Sequence, residues 1–213
     1  MPQKGRGTRI MFDLSLHQLI IRLGASIIIV GIHGFALAAI ARTLGDRGPE
    51  FDERLTLNPI SHLDVLGAAM MILFQLGWIR PIAIDPSALR LGRLGLVGCV
   101  FGSLAVTLAA VILLLGSRLP VLSYMPTAIA PTVIATLNGA VEMCTWFAVF
   151  NLLPLPPLTG AHFLVAARPS FAPLLAKYQI YAAIGLAALI LAGAPQSVLQ
   201  PGRDAIASLL PGP

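Results

Sequence analysis

Between Leu94 and Leu115 the chain runs for 22 residues without a charged side chain, about 33 Å of α-helix at 1.5 Å per residue. That length matches the hydrocarbon layer of a bilayer. No water reaches backbone groups there, so a spanning segment must satisfy its own hydrogen bonds as a helix or within a closed barrel. Leu19–Ala41, Ile129–Leu153 and Tyr178–Gly193 have the same character, and Leu63–Ile79 is a shorter apolar stretch. Hydrophobic residues make up 57% of the 213 and charged residues 11%, against about 45–50% and about 25% in soluble domains. These features predict an all-α polytopic membrane protein of about 4–6 transmembrane helices. Residues 1–15 form a polar N-terminal tail, 16–195 a membrane domain and 196–213 a short C-terminal segment with a surface helix.

Charge narrows the partners. The net charge is +5, and Lys4, Arg6 and Arg9 form the one dense basic cluster. Without a stripe of Lys or Arg interleaved with aromatics, nucleic acid is excluded, and basic loops facing an anionic lipid bilayer account for the charge. Cys99 and Cys144 lie in apolar segments and read as packing residues rather than a disulfide or metal pair. Gly98-x-x-x-Gly102 suits close helix packing and is compatible with a homo-oligomer. The first apolar stretch is too long for a signal-peptide core and is expected to stay as a helix. Counted over five spans, eight Lys and Arg fall on the N-terminal side and five on the other, which favours a cytoplasmic N-terminus.

Three places break the apolar pattern. His33 sits inside the first span. Asn138, Glu142 and Asn151 sit in the Ile129–Leu153 span, where an unpaired charged acid costs several kcal/mol. "NLLPLPPLTG" (Asn151–Gly160) then combines bilayer-grade leucines with Pro154, Pro156 and Pro157, which cannot continue a helix. Irregular backbone at membrane depth survives only when shielded by protein or lining a wet cavity, and Asn151 is placed to satisfy some of the freed groups. Upstream, "RLTLNP" (Arg54–Pro59) alternates polar and apolar residues and predicts a short strand.

The order and wording of several motifs resemble the site-2 protease family, the intramembrane zinc metalloproteases. "GIHGFALAAIARTLGD" (Gly31–Asp46) resembles the HExxH helix and the Gly-Asp that follows it in bacterial members. "LTLNPISHLDVLG" (Leu55–Gly67) resembles the family's hairpin, "GWIRPIAID" (Gly77–Asp85) its connector, and "NLLPLPPLTG" its NxxPxxxxDG motif. The resemblance covers Ile28–Leu164 and implies a site-2-protease-like helical core, a short β-hairpin after the first helix, and a bacterial inner membrane location. His33 matches the first family histidine. Gly34 stands where the family has its general-base Glu, Leu37 where it has the second His, and Thr159 where it has the Asp ligand. Asn151, Pro154 and Gly160 keep their places.

Catalytic zinc generally takes three protein ligands and a water, and His33 alone survives of that set. The resemblance therefore implies a catalytically inactive pseudoprotease with no expected cofactor, one that binds transmembrane protein segments or regulates an active protease relative. A rearranged zinc site of His33, His162 and either Asp64 or His62 is the alternative, and would make the chain an active metalloendopeptidase. His62 and Asp64 otherwise read as hydrogen-bonding pins between hairpin and helix. A small transporter component, suggested by Glu142 and the proline-broken segment, is a third reading, weakened by the absence of an internal repeat.

Overall fold

Apolar helices of spanning length need only satisfy their own backbones, and they form where hydropathy places them. The computed structural model describes residues 15–208. The first helix, α1 (Leu16–Leu44), starts from a reciprocal cap in which the Ser15 hydroxyl accepts from the Gln18 amide and the Gln18 side chain accepts from Ser15 N–H, the arrangement that satisfies orphan donors at a helix start. Two one-turn helices, α2 (Gly48–Phe51) and α3 (Pro59–His62), lead to α4 (Val65–Phe74). An extended connector returns to α5 (Gly92–Leu115), which continues through α6 (Arg118–Tyr124). After α7 (Ala130–Asn151) come the short α8 (Ala161–Ala167), α9 (Ala172–Leu191) and α10 (Ala194–Ser208). Four stretches are long and apolar enough to cross a membrane: Leu16–Leu44, Gly92–Tyr124, Ala130–Asn151 and Pro169–Leu191. These fit an integral membrane protein in a lipid bilayer.

The expected β-hairpin is absent: no strand occurs among the described residues. Alternation alone does not make a strand, because a strand needs a ladder partner to satisfy its backbone. Here the connector gives this region a single backbone-to-backbone bond, Arg80 N–H to the His62 carbonyl at 2.8 Å, and the Arg54 guanidinium donates to the Arg80 carbonyl at 2.6 Å. Asn58 instead caps α3, its side chain accepting from the Ile60 amide at 3.1 Å, and Pro59 opens the helical turn, a position where its missing N–H costs nothing. Leu57, which the alternation would bury, is exposed.

The Leu63–Ile79 stretch is likewise less than a span. Its helix ends at Phe74, with Gln75 in the left-handed region at φ 63°, and the chain turns back extended. The Lys4, Arg6 and Arg9 cluster, on which the expected orientation rests, lies outside the described residues.

Two apolar clusters hold the helices. One joins α1, α5 and α7 through Ile29, Leu37, Leu96, Val100, Met143 and Phe147. The other joins α4, the connector, α7, α9 and α10 through Met70, Trp78, Phe150, Leu186 and Leu199. Polar ties work at the edges. Asp46, buried after α1, accepts from the Gly48 amide at 2.8 Å and the Asp85 amide at 2.9 Å, which fastens the end of α1 to the connector.

Arg22 does the same for α4. Its guanidinium donates to the carbonyls of Ile72 and Leu73 at 3.2 and 2.9 Å. These are among the last carbonyls of the helix, which have no intrahelical partner and carry the negative end of the dipole. Arg22→Met should therefore lower stability in detergent by about 1.5–3 kcal/mol, the range for hydrogen bonds to a charged group. Thermal unfolding of the purified variant, with Arg22→Lys giving a smaller loss, measures it.

Candidate functional site

An imidazole in an apolar helix must find partners for both ring nitrogens or carry the cost of an unpaired polar atom. His33, fully buried near the middle of α1, finds both. Its Nδ1 lies 3.0 Å from Thr107 Oγ1 on α5, and its Nε2 lies 2.9 Å from Thr159 Oγ1 in the proline-rich loop. Thr107 Oγ1 donates to the Ser103 carbonyl at 2.6 Å, so its lone pairs face the histidine and Nδ1 carries the proton. Nε2 then accepts from the Thr159 hydroxyl. The ring also meets Phe147 edge-on, with centroids 4.8 Å apart. Every polar atom of this chain of groups is satisfied with a neutral imidazole.

Asn151 positions Thr159. From the last residue of α7 its side-chain N–H₂ donates to the carbonyls of Gly77 and Phe147 at 2.9 and 3.0 Å, and its Oδ1 accepts from the Thr159 amide at 3.3 Å. One side chain thus ties the loop, the connector and its own helix together. The Gly160 amide closes the loop on the Asn151 carbonyl at 2.7 Å. A Cβ on Gly160 would overlap the Leu152 and Leu153 carbonyls, so glycine is required for that approach. Pro154 is exposed at the outer bend.

The positions of Gly34 and Leu37, which the resemblance aligns with the base and second histidine, are occupied as well. A Cβ on Gly34 would overlap the His62 ring: the imidazole occupies the space that a longer residue there would need. His62 is fully buried and its Nε2–H donates to the Thr56 carbonyl at 2.8 Å. Leu37 is buried in the α1–α5–α7 cluster. Asp64 spends its carboxylate capping α4, accepting from the Gly67 amide at 2.8 Å. His162 lines a cleft beside Ile82 and Gln179. Glu142 lies on the half-exposed face of α7 toward α10, 3.8 Å from Arg203.

The structure thus brings together His33, Thr159 and Asn151, and separately Gly34 and His62. It does not assemble His33, His162 and Asp64 or His62: among the described residues no three His, Cys, Asp or Glu converge as a metal cage. The donor set does not fit zinc. Both His33 nitrogens are committed to threonines, and the residue facing Nε2 offers a neutral hydroxyl.

Thr107 was not singled out by the sequence reading. The available signal was a hydroxyl four residues after Ser103 in an otherwise apolar span, a spacing that puts both on one helix face.

Comparison with known proteins supplies the family. The chain is 30% identical over 189 residues to the Bacillus subtilis (strain 168) protein named "Putative zinc metalloprotease YwhC", covering 84% of this chain and 85% of that protein. It belongs to that protein's family. No family model matches the sequence, and no solved structure matches it.

Two outcomes follow from the geometry. Thr159→Val leaves the Nε2 lone pair of His33 buried without a donor, a loss of about 1–3 kcal/mol, whereas Thr159→Ser keeps the hydroxyl and most of the stability. Chemical denaturation of both variants checks this. Gly34→Ala forces the His62 ring out of its seat and should destabilise by about 1–3 kcal/mol or more, as overpacking does, and His62→Ala in the same chain should recover much of it.

A pH dependence also follows. Burial lowers the affinity of His62 for a proton, the Thr56 carbonyl opposes this, and the nearby Arg54 cation adds to the lowering. A histidine held below its unfolded value of about 6.5 disfavours the fold when it is protonated. Stability should be level above about pH 6.5 and fall below it, and the fall should be shallower in His62→Gln when Tm is followed against pH.

Proposed function

We propose that this family member is a non-catalytic membrane protein that holds transmembrane segments of other proteins, or of an active protease relative, without cutting them. The observation that carries the reading is the double engagement of His33 by Thr107 and Thr159. A catalytic zinc site needs about three lone-pair donors and an open position for water. Here the one inherited donor is consumed by hydrogen bonds, the place of the base is covered by His62, and the place of the second histidine is aliphatic core. With no side chain left to take a proton from a bound water, hydrolysis has no route through these residues. No cofactor is proposed.

A holding role has a physical basis beside the old centre. The connector from Ile82 to Ile84 lies outside any helix, and the amides of Ile82, Ala83 and Ile84 have no partner among the described residues. A cleft of about 220 Å³ flanks it, walled by Pro157, His162, Leu175 and Gln179. An unwound stretch of another chain can satisfy such an edge by adding backbone hydrogen bonds while its side chains fill the cleft. Ala83 is exposed between the buried Ile82 and Ile84 and is the natural reporter.

Metal analysis of the detergent-purified protein should give far less than one zinc per chain, unchanged by His33→Ala. One tightly bound zinc, lost in that variant, together with cleavage of a model transmembrane substrate, would overturn the reading. A photoactivatable residue at position 83 should crosslink co-expressed transmembrane segments more strongly than one at the lipid-facing Leu113, with the crosslinked segment recovered at full length.

A further inference from the structure

A second cleft, polar and of about 430 Å³, shares Pro81, Ile82 and Ala83 with the apolar cleft described above. Its other walls are Ser61 on α3, Asp52, Glu53 and Arg54 after α2, and Arg80. Arg54 is the unusual member. It is only 6% exposed, yet its guanidinium makes one hydrogen bond among the described residues, from Nη2 to the Arg80 carbonyl at 2.6 Å. Its Nε is buried without a partner. A buried charge is costly unless it is paired and its donors are met.

Neither condition holds for Arg54. The ion pairs among the described residues belong to Arg42, Arg47 and Arg203, and neither Arg54 nor Arg80 has one. Burial lowers the proton affinity of Arg54, the neighbouring Arg80 cation lowers it further, and the opposing pull of Asp52 is the smallest of the three. Asp52 and Glu53 stand exposed at the rim, without an ion pair to either arginine. Two neighbouring guanidinium groups suit the paired oxygens of a carboxylate. A phosphate dianion suits the cleft less well, because the rim acids repel the second negative charge. The same cleft is walled by Ile82 and Ala83, whose amides have no partner. A carboxylate seated there is therefore best supplied by a polypeptide that also bonds to those amides.

We propose, on the basis of the holding role above, that Arg54 and Arg80 receive one carboxylate of the segment held on the connector. The partners of this protein are then segments that carry an acidic group next to the apolar residues filling the neighbouring cleft. Arg54 supplies the buried charge, Arg80 the exposed one, and Asp52 weakens the interaction by repulsion.

The test uses the full chain in detergent, with a photoactivatable residue at position 83 and three peptides of one apolar sequence. The first carries an internal Glu with both ends blocked, the second Gln in its place, and the third Gln with a free C-terminal carboxylate. The concentration giving half-maximal crosslinking measures each affinity. An acidic peptide should bind about tenfold more tightly than the blocked Gln peptide, the size of one hydrogen bond to a charged group. Which acid gains identifies an internal side chain or a chain end as the source. Arg80→Gln should reduce the preference and Arg54→Gln should abolish it. Loss of stability alone weakens all three peptides alike and leaves their ratio unmoved. Asp52→Asn should tighten the acidic peptide only, an effect opposite in sign to damage to the fold. Equal binding of the three peptides would overturn the carboxylate receptor and leave the holding role standing. A preference undiminished in Arg80→Gln, the variant at an exposed side chain, would overturn it too. A phosphoserine peptide bound more tightly than the Glu peptide would assign the cleft to phosphate and equally overturn it. No crosslink to any peptide would overturn the holding role and the receptor together.

Discussion

A neutral imidazole buried in an apolar bundle leaves little freedom to whatever surrounds it, and His33 sets the arrangement of this protein's centre. Its two nitrogens must each be met, one by an acceptor and one by a donor, because the ring is fully buried. Thr107 takes the first role because its own proton goes to the Ser103 carbonyl, and Thr159 takes the second. Those two contacts bind α1 to α5 and to the proline-rich loop. Asn151 then couples that loop to the connector through Gly77, so the whole centre is one continuous hydrogen-bonded unit within two apolar clusters.

The substituted positions make sense as a group. A glycine at 34 admits the His62 ring, and a glutamate there would meet the same ring. A leucine at 37 extends the core shared by α1, α5 and α7. A threonine at 159 supplies the one proton that Nε2 needs. Each residue fits the packing or hydrogen bonding of its neighbours, and the three arrangements are mutually compatible. The chain shares a family with a relative named as a zinc metalloprotease, and its own centre is satisfied by hydrogen bonds.

The irregular segments show why local sequence patterns fell short in places. Alternation in Arg54–Pro59 suggested a strand, but no neighbour supplies a ladder, and Asn58 with Pro59 turned the chain into α3 instead. The apolar run Leu63–Ile79 suggested a crossing, but Arg22, some 50 positions away in sequence, receives the end of α4 before it gets that far.

Hydropathy and motif order determined the helical membrane architecture, the approximate placement of the four spans, and the choice of His33, Asn151 and Thr159 as the residues to examine. Those properties are local: a helix of apolar residues satisfies its own backbone wherever it lies, and a motif keeps its spacing. The partners of those residues were decided only in three dimensions. Thr107 is 74 positions from His33, and His62 is 28 from Gly34. Arg118 and Arg203 lie on either side of α7 in the chain yet converge on one of its faces. Such pairings depend on which helix faces meet, and helix packing is set by the whole bundle rather than by any segment of it.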